Sequence, residues 1–198
     1  MRKFQLIVKR VIDSVAALSV LALLSPVLTV IMFWIKVTSE GPVLFKQKRP
    51  GLHGAIFEVY KFRTMRIGSE KMTKGQEVML EDDRITFIGR YLRRFKIDEL
   101  PQLINVLKGQ MSLVGPRPQR IEYLNDYTEE EKKRFDMLPG LTGLAQVSGN
   151  IFLTVEQRNK KDIEYVENFS LLLDTKIILK TFGVILFGEQ KYIKQTQG

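Results

Sequence analysis

The chain has 198 residues, enough for one domain with a buried core, and a net charge of +9 from 31 Lys and Arg against 22 Asp and Glu. This charge predicts anionic partners, namely nucleic acid, a phospholipid surface or phosphorylated substrates. The lack of cysteine excludes disulfides, thiolate nucleophiles and Cys-ligated metal sites, and it favours a cytoplasmic setting. The one histidine, His53, lies in a turn-like segment, so a Ser/His/Asp triad or a multi-histidine metal site is disfavoured.

The first predicted element is a long apolar helix. Residues 15–35 form 21 uncharged positions, about 31 Å as a straight helix, which is enough to cross a bilayer. The run exceeds the roughly 7–15 apolar residues of a signal peptide, and no small-residue cleavage site closes it. We therefore interpret this segment as a permanent membrane anchor.

The flanks and the midpoint of this segment leave its topology open. Basic residues lie on both sides, so a spanning helix would place one basic flank on the disfavoured face. Ser25 and Pro26 lie at the midpoint, where proline removes a helical hydrogen bond and favours a kink. A helix that bends there and returns to the same face fits both observations, but an ordinary kinked spanning helix is also compatible.

Beyond the anchor, apolar and aromatic runs at 43–45 and 56–63 predict a short β-hairpin. Residues 68–83 are polar and predict a mobile loop, and residues 87–95 are compatible with a helix. The next helix is expected to start with Asp98 as its N-cap and to close at Lys108 and Gly109.

Two more helices are predicted toward the C-terminus. One begins at Thr128, with Glu131 as capping-box partner, and ends near 138–140. The other, over 174–187, is amphipathic and either packs in the core or lies along a bilayer surface.

The candidate chemistry centres on the adjacent carboxylates Asp98 and Glu99. Side chains about 100° apart on a helix can share one anionic site with different tasks, such as nucleophile and metal ligand. Acidic residues at a helix start also complement the macrodipole, which is the alternative interpretation. Basic residues surround the pair and suggest a phosphate-handling site: Arg93, Arg94 and Lys96 just before it, Lys61 and Arg63 on a strand, and Arg117 between two prolines.

Motifs along nearly the whole chain closely resemble the bacterial sugar transferase family, the monotopic phosphoglycosyl transferases. They occur in the family's order at residues 9–13, 25–26, 41–45, 47–51, 60–65, 98–102, 105–109, 111–118 and 139–149. The resemblance implies an α+β fold that is mostly helical, with a small hairpin, a re-entrant N-terminal membrane helix broken at Ser25 and Pro26, and amphipathic helices on the membrane surface. It further implies an anchor at residues 1–37 and a catalytic domain at 38–198 on the cytoplasmic face of the bacterial inner membrane.

The same resemblance implies a reaction. Asp98 matches a nucleophile that attacks the β-phosphate of a UDP-sugar, expels UMP and passes the sugar phosphate to polyprenyl (undecaprenyl) phosphate. Glu99 matches a Mg²⁺ ligand, in keeping with that ion's preference for carboxylate and phosphate oxygens. The expected substrate-binding residues are Lys61, Arg63, Arg93, Arg117 and Gln146. Such an enzyme initiates glycoconjugate synthesis, binds lipid and binds no nucleic acid.

Two positions depart from the family pattern, because many relatives carry an arginine and a tryptophan where this chain has Asn150 and Val155. The sequence otherwise predicts the minimal form, without the extra N-terminal membrane helices of larger members. Two rival functions are a membrane-tethered basic binding module and a nucleotide-sugar hydrolase. The first gives no reason for Asp98 and Glu99 among arginines, and the membrane segment argues against the second.

Overall fold

The computed structural model describes residues 2–69 and 82–188, and the fold is α+β and mostly helical, as predicted. The polar segment predicted as a loop lies almost entirely outside the described residues. Four strands and seven helices occur in the described residues, in chain order: α1 Arg2–Thr38, β1 Leu44–Pro50, β2 Ile56–Phe62, α2 Phe87–Arg94, α3 Gln102–Leu107, β3 Ser112–Val114, α4 Glu129–Lys132, β4 Gly140–Thr142, α5 Leu144–Val147, α6 Val155–Glu167 and α7 Leu171–Phe187.

Helix α1 is the one described element that is long and apolar enough to cross a membrane. Its helical backbone continues through Pro26, which lacks the N–H that would bond to the carbonyl of Ala22. The Ser25 hydroxyl donates to this carbonyl at 2.9 Å and replaces the missing donor, while Thr29 donates to the carbonyl of Ser25. The Ser25 hydroxyl therefore satisfies a carbonyl that Pro26 leaves without its helical donor.

Both halves of α1 pack on the same folded body. Before Pro26, Ala17 is fully buried against Leu103 and Val106 of α3. After Pro26, Ile35 is buried against Phe62 of β2 and Leu92 of α2. Because these contacts fall on both sides of the proline, α1 is part of the core as well as an apolar helix.

The N-terminal half of α1 also makes polar contacts with the core. Lys9 and Asp13 are buried and form an ion pair, and Lys9 pairs with Asp174 of α7. Asp13 accepts a hydrogen bond from Ser112 of β3 at 2.6 Å. Arg10 donates to the last carbonyls of α3, which stabilises the C-terminus of that helix.

The predicted hairpin is confirmed: β1 and β2 pair antiparallel, with Leu44 opposite Phe62 and Pro50 opposite Ile56. The predicted N-cap of α3 is wrong. Pro101 occupies that position without a side-chain cap, and Asp98 lies in a preceding 3₁₀ turn, Ile97–Glu99. Because this turn separates Asp98 from the first N–H groups of α3, its carboxylate cannot cap that helix.

In the C-terminal half, one predicted capping box is confirmed, but the helix bounds differ from the prediction and one helix was not predicted. The capping box of Thr128 and Glu131 is present, but α4 ends at Lys132 and passes into a 3₁₀ turn well before the predicted end. Helix α7 begins earlier than predicted, with Ser170 as its N-cap. Helix α6 was not predicted, although Thr154 and Gln157 form a capping box at its start.

Strands β3 and β4 pair in parallel, and glycines make their close approach possible. A Cβ at Gly140 would lie 2.1 Å from the Gly115 nitrogen, and one at Gly143 would lie 2.1 Å from the Gly115 oxygen. A side chain at either position would therefore force the backbones apart. This junction fixes the start of the segment that carries Arg117.

Candidate active site

Asp98 and Glu99 line an open cleft of about 1170 Å³. The left-handed backbone of Lys96 (φ 57°) ends α2 and turns the chain into the 3₁₀ turn that holds the two carboxylates. Asp98 is 9 % exposed. Lys61 from β2, Arg93 from the last turn of α2 and Arg117 from the segment after β3 line the same cleft. Three separate elements thus bring basic groups to the two carboxylates.

Glu99 is held by two cations. Its Oε1 lies 2.7 Å from Lys61 Nζ and 2.9 Å from Arg117 Nη2, and its Oε2 has a longer contact of 3.4 Å with Arg117 Nη1. Burial alone would raise the pKa of Glu99, but the charges and hydrogen bonds of Arg117 and Lys61 outweigh it and hold that pKa well below its usual value. Glu99 is therefore ionised at neutral pH.

Asp98 has a different environment. Among the residues that the structure describes, none forms a hydrogen bond or an ion pair with its carboxylate. Burial and the neighbouring charge of Glu99 raise the pKa of Asp98 to about 6, against the opposing charges of Lys61, Arg93 and Lys96. At neutral pH the group is mostly ionised and faces the cleft. An anionic oxygen of this kind can attack an electrophile without a general base.

Arg93 is fixed beside the cleft by its donor bond from Nε to the Thr64 hydroxyl, at 2.8 Å. Burial lowers the pKa of Arg93, although the charge of Asp98 opposes that shift, and the guanidinium remains protonated at neutral pH. Thr64 is itself buried just beyond β2. The contact therefore connects the C-terminal end of α2 to the hairpin.

A buried polar cluster around Arg134 holds the backbone of Arg117 in place. The Arg134 guanidinium is 2 % exposed, donates to the Arg117 carbonyl at 2.9 Å and forms an ion pair with Asp162. Its other Nη donates to Tyr127 and to Asn159. Arg134 lies in a run of charged residues that resembles a solvated helix face, so the sequence gives no sign that this residue is buried.

Two predicted substrate-binding residues are placed differently from the others. Arg63 lines the cleft, but its Nη2 donates to the carbonyl and hydroxyl of Ser39, just after α1, both at 2.7 Å. The amide of Gln146 is buried without a hydrogen-bond partner among the described residues, and Gln146 is not part of the cleft lining. Substrate contact by Arg63 and Gln146 stays a prediction.

The cleft also contains groups that sequence reasoning missed. Arg49, Arg120 and Arg158 add positive charge, and Arg49 stands inside the motif at 47–51 that carried part of the family resemblance. Asn150 and Val155, the two departures from the family pattern, also line the cleft. An apolar part of the wall comes from the segment after Gly149 and from the end of α7: Ile151, Phe152, Ile185, Leu186 and Phe187.

The carboxylate oxygens in the cleft suit a magnesium ion whose remaining ligands come from substrate phosphates and water. Within residues 2–69 and 82–188, no group of three or more His, Cys, Asp or Glu side chains could hold a metal. Mg²⁺ sites in phosphate-transfer enzymes commonly use one or two carboxylates together with substrate phosphates and water. Asp98 and Glu99 offer such a pair, and Glu99 Oε2 is the more weakly engaged of that residue's two oxygens.

Comparison with known proteins defines the class. The profile of the bacterial sugar transferase family matches residues 4–188, and the chain belongs to this family. An uncharacterized sugar transferase of Bacillus subtilis is 43 % identical over 184 residues, which cover 93 % of this chain and 90 % of that protein.

Several relatives carry names that state a reaction. A UDP-glucose:undecaprenyl-phosphate glucose-1-phosphate transferase of Caulobacter vibrioides is 44 % identical over 192 residues, 93 % of this chain and 72 % of that protein. An undecaprenyl-phosphate galactose phosphotransferase of Salmonella typhimurium is 39 % identical over 199 residues, 93 % of this chain and 41 % of that larger protein.

Proposed function

We propose that the chain transfers a sugar 1-phosphate from a UDP-sugar to a polyprenyl phosphate such as undecaprenyl phosphate, and so initiates glycoconjugate synthesis. The observation that carries this proposal is the pair Asp98 and Glu99 in a cleft that is also lined by Lys61, Arg93 and Arg117. The names of the related proteins support the same substrate classes.

In the first half-reaction an Asp98 oxygen bonds to the β-phosphorus of the UDP-sugar. The bond from that phosphorus to the bridging oxygen breaks, and UMP leaves with the electron pair and the α-phosphate. In the second half-reaction a phosphate oxygen of the polyprenyl phosphate attacks the same phosphorus and releases the Asp98 carboxylate. No proton transfer is required, which suits a cleft with no histidine among the described residues that line it.

The basic residues would reduce the repulsion between an anionic nucleophile and an anionic diphosphate. Lys61 and Arg117 contact Glu99, and the charge of Arg93 acts on Asp98. A positively charged side chain therefore acts on each of the two carboxylates. Glu99 would hold Mg²⁺ when it is bound, and the ion would supply electrostatic stabilisation of the phosphate oxygens.

We further propose that α1 enters and leaves the cytoplasmic face of the bacterial inner membrane. Arg2 donates to the Val166 carbonyl, and Lys9 pairs with Asp174, whereas at the other end Arg63 donates to the Ile35 carbonyl and to Ser39. Because both ends of α1 contact the same folded body, these contacts support a helix that enters the membrane and returns to the same face, rather than one that crosses it. The basic residues of both flanks favour the cytoplasmic face.

Helix α7 supports a membrane-surface position for the catalytic domain. Leu172, Leu179, Phe182 and Leu186 are each more than 60 % exposed and share one side of the helix. Such a side suits the boundary between headgroups and acyl chains. The acceptor phosphate would then reach the cleft from the membrane.

A UMP-release assay tests the proposal and separates it from its rivals. Purified protein is incubated with a panel of UDP-sugars, with and without undecaprenyl phosphate, and Asp98→Asn serves as the control. A transferase gives multiple turnovers only with the lipid and at most one UMP per protein without it. A hydrolase turns over without lipid, and a binding module gives no UMP with any UDP-sugar. Either of these two results would refute the proposal.

A further inference from the structure

The cleft contains a group of three arginines, of which Arg49 and Arg120 have no role in the two half-reactions described above. Arg49 at the end of β1, Arg117 and Arg120 all line the cleft. Strand β1 contacts the 3₁₀ turn Ile121–Tyr123, which begins directly after Arg120. Two segments that are far apart in sequence therefore present guanidinium groups to the same part of the wall.

The charges of Arg117 and Arg120 act on Arg49. Burial, followed by the positive charges of Arg117 and Arg120, lowers the pKa of Arg49 to about 10. The opposing effects of Glu122 and Glu99 are smaller. Like charges at short range repel each other, and a bound anion removes that repulsion.

Arg49 and the chain segment that carries Arg117 and Arg120 are held in place before any ligand binds. Arg49 donates to the Gln47 side chain at 2.6 Å, and Gln47 also lines the cleft. Arg134 fixes the Arg117 carbonyl, and Gln119 donates to Asn159 of the same buried cluster. A segment fixed on both sides of Pro118 presents its side chains with little loss of entropy on binding.

We propose that Arg49 and Arg120 form a second phosphate-binding subsite in the cleft, to which Arg117, the residue that also contacts Glu99, contributes. Guanidinium groups suit this ligand because their paired N–H donors match phosphate oxygens. The inference rests on the proposed function, in which two phosphates besides the attacked one must be held. These are the α-phosphate that leaves in UMP and the phosphate of the polyprenyl acceptor.

The test uses the full-length protein with the variants Arg49→Gln and Arg120→Gln. Arg49→Lys retains the charge without the paired donors. Arg90→Gln is the matched control, because Arg90 is exposed on α2 and does not line the cleft. Calorimetry measures the binding of UMP, inorganic phosphate and uridine, and steady-state assays measure the KM for undecaprenyl phosphate. Thermal unfolding confirms that each variant is folded.

If the subsite holds the nucleotide's phosphate, both Gln variants should weaken UMP binding by about tenfold or more, and Arg49→Lys by less. Uridine binding, which involves no phosphate, should not change. If the subsite holds the acceptor's phosphate, the KM for undecaprenyl phosphate should rise by a similar factor while UMP binding is unchanged. Either result supports a phosphate subsite and identifies its source.

The subsite is refuted if folded Arg49→Gln and Arg120→Gln match Arg90→Gln in UMP affinity, in phosphate affinity and in the KM for the acceptor. UMP and phosphate binding are measured without turnover. An inactive parent protein that binds UMP through these arginines would therefore count against the proposed function and not against the subsite.

Discussion

Asp98 and Glu99 are adjacent in the chain but have different electrostatic environments. Glu99 is fixed by Lys61 and Arg117 and stays ionised, whereas Asp98 faces the cleft with a pKa of about 6. Two carboxylates with separated pKa values can divide the roles of nucleophile and metal ligand. The two roles are divided in this way because Lys61 and Arg117 contact Glu99 and not Asp98.

The proposed metal role of Glu99 can be tested by a magnesium titration. Glu99→Gln should raise the Mg²⁺ concentration for half-maximal UMP release by about tenfold or more, or abolish turnover, because a neutral amide is a weaker ligand for Mg²⁺. EDTA should abolish the parent's activity, and excess Mg²⁺ should restore it.

Glu156→Gln is the matched control for that titration, since Glu156 is an exposed carboxylate of α6 paired only with Lys160 in the described residues. Its titration should coincide with the parent's. Full activity of the parent without metal would exclude the role of Glu99 in metal binding.

At the scale of residues, the sequence predicted the main contents of the cleft but not every orientation. Asp98, Glu99, Lys61, Arg93 and Arg117 all line it. If the strand continued through Arg63, the alternation of side chains would place Lys61 and Arg63 on the same face. Strand β2 ends at Phe62, however, so Arg63 lies beyond the regular pleat and turns toward the end of α1.

At the scale of elements, the buried pair of Arg134 and Asp162 connects α6 to the segment that carries Arg117. Both side chains are almost fully buried, so removal of one leaves an unpaired charge inside the protein. Arg134→Met should destabilise the fold by about 3–5 kcal/mol. Arg134→Met combined with Asp162→Leu should recover part of that loss, because no buried charge then remains unpaired.

Thermal unfolding of the purified variants measures these changes. Lys133→Gln is the control from the same 3₁₀ turn, since its pairs with Glu130 and Glu167 are exposed and should contribute less than about 1 kcal/mol. Equal melting temperatures for Arg134→Met and Lys133→Gln would show that the buried pair does not hold this region together.

Elements defined by local signals were easier to predict than those defined by distant contacts. The hairpin and the capping box of Thr128 follow from nearby residues and are confirmed. The pairing of β3 with β4 joins three-residue strands more than twenty residues apart and has no local pattern. Helix α6 had a readable capping box at Thr154 and Gln157, but its mostly polar sequence gives no clear apolar stripe.

At the scale of the whole molecule, the proposed position of the cleft at the cytoplasmic face depends on how α1 sits in the membrane. Single cysteines at positions 3 and 40, as Lys3→Cys and Glu40→Cys, report the sidedness of each flank in this cysteine-free chain. A membrane-impermeant thiol reagent should label neither site in intact cells and both sites in permeabilised cells. Both flanks would then lie on the cytoplasmic side.

The same reporters test the proposed bend at Ser25 and Pro26. Ser25→Ala with Pro26→Leu supplies the backbone N–H that Pro26 lacks and should straighten the helix, which is long enough to span, so position 3 should become labelled in intact cells. The contacts of Lys9 with Asp174 oppose this change, and we expect partial labelling. Labelling of position 3 in the parent would show a spanning helix and contradict the re-entrant proposal.

The sequence left the spanning and re-entrant arrangements open from physical reasoning alone. The contacts that favour one of them join residues at opposite ends of the chain, such as Lys9 with Asp174 and Arg2 with Val166. A hydropathy pattern reports length and apolarity but not which distant groups pair. The fold supplies that information through α7, which brings Asp174 to the N-terminal half of α1.

The central claim is a covalent phosphosugar on Asp98, and the most direct measurement is mass spectrometry of protein incubated with its UDP-sugar and Mg²⁺ in the absence of lipid acceptor. The intact mass should increase by one sugar phosphate, fragmentation should place it on Asp98, and undecaprenyl phosphate should remove it. Asp98→Asn should show no adduct and lose activity by at least about 10³-fold. Substantial turnover by Asp98→Asn, or an adduct on another residue in an active parent, would contradict the account.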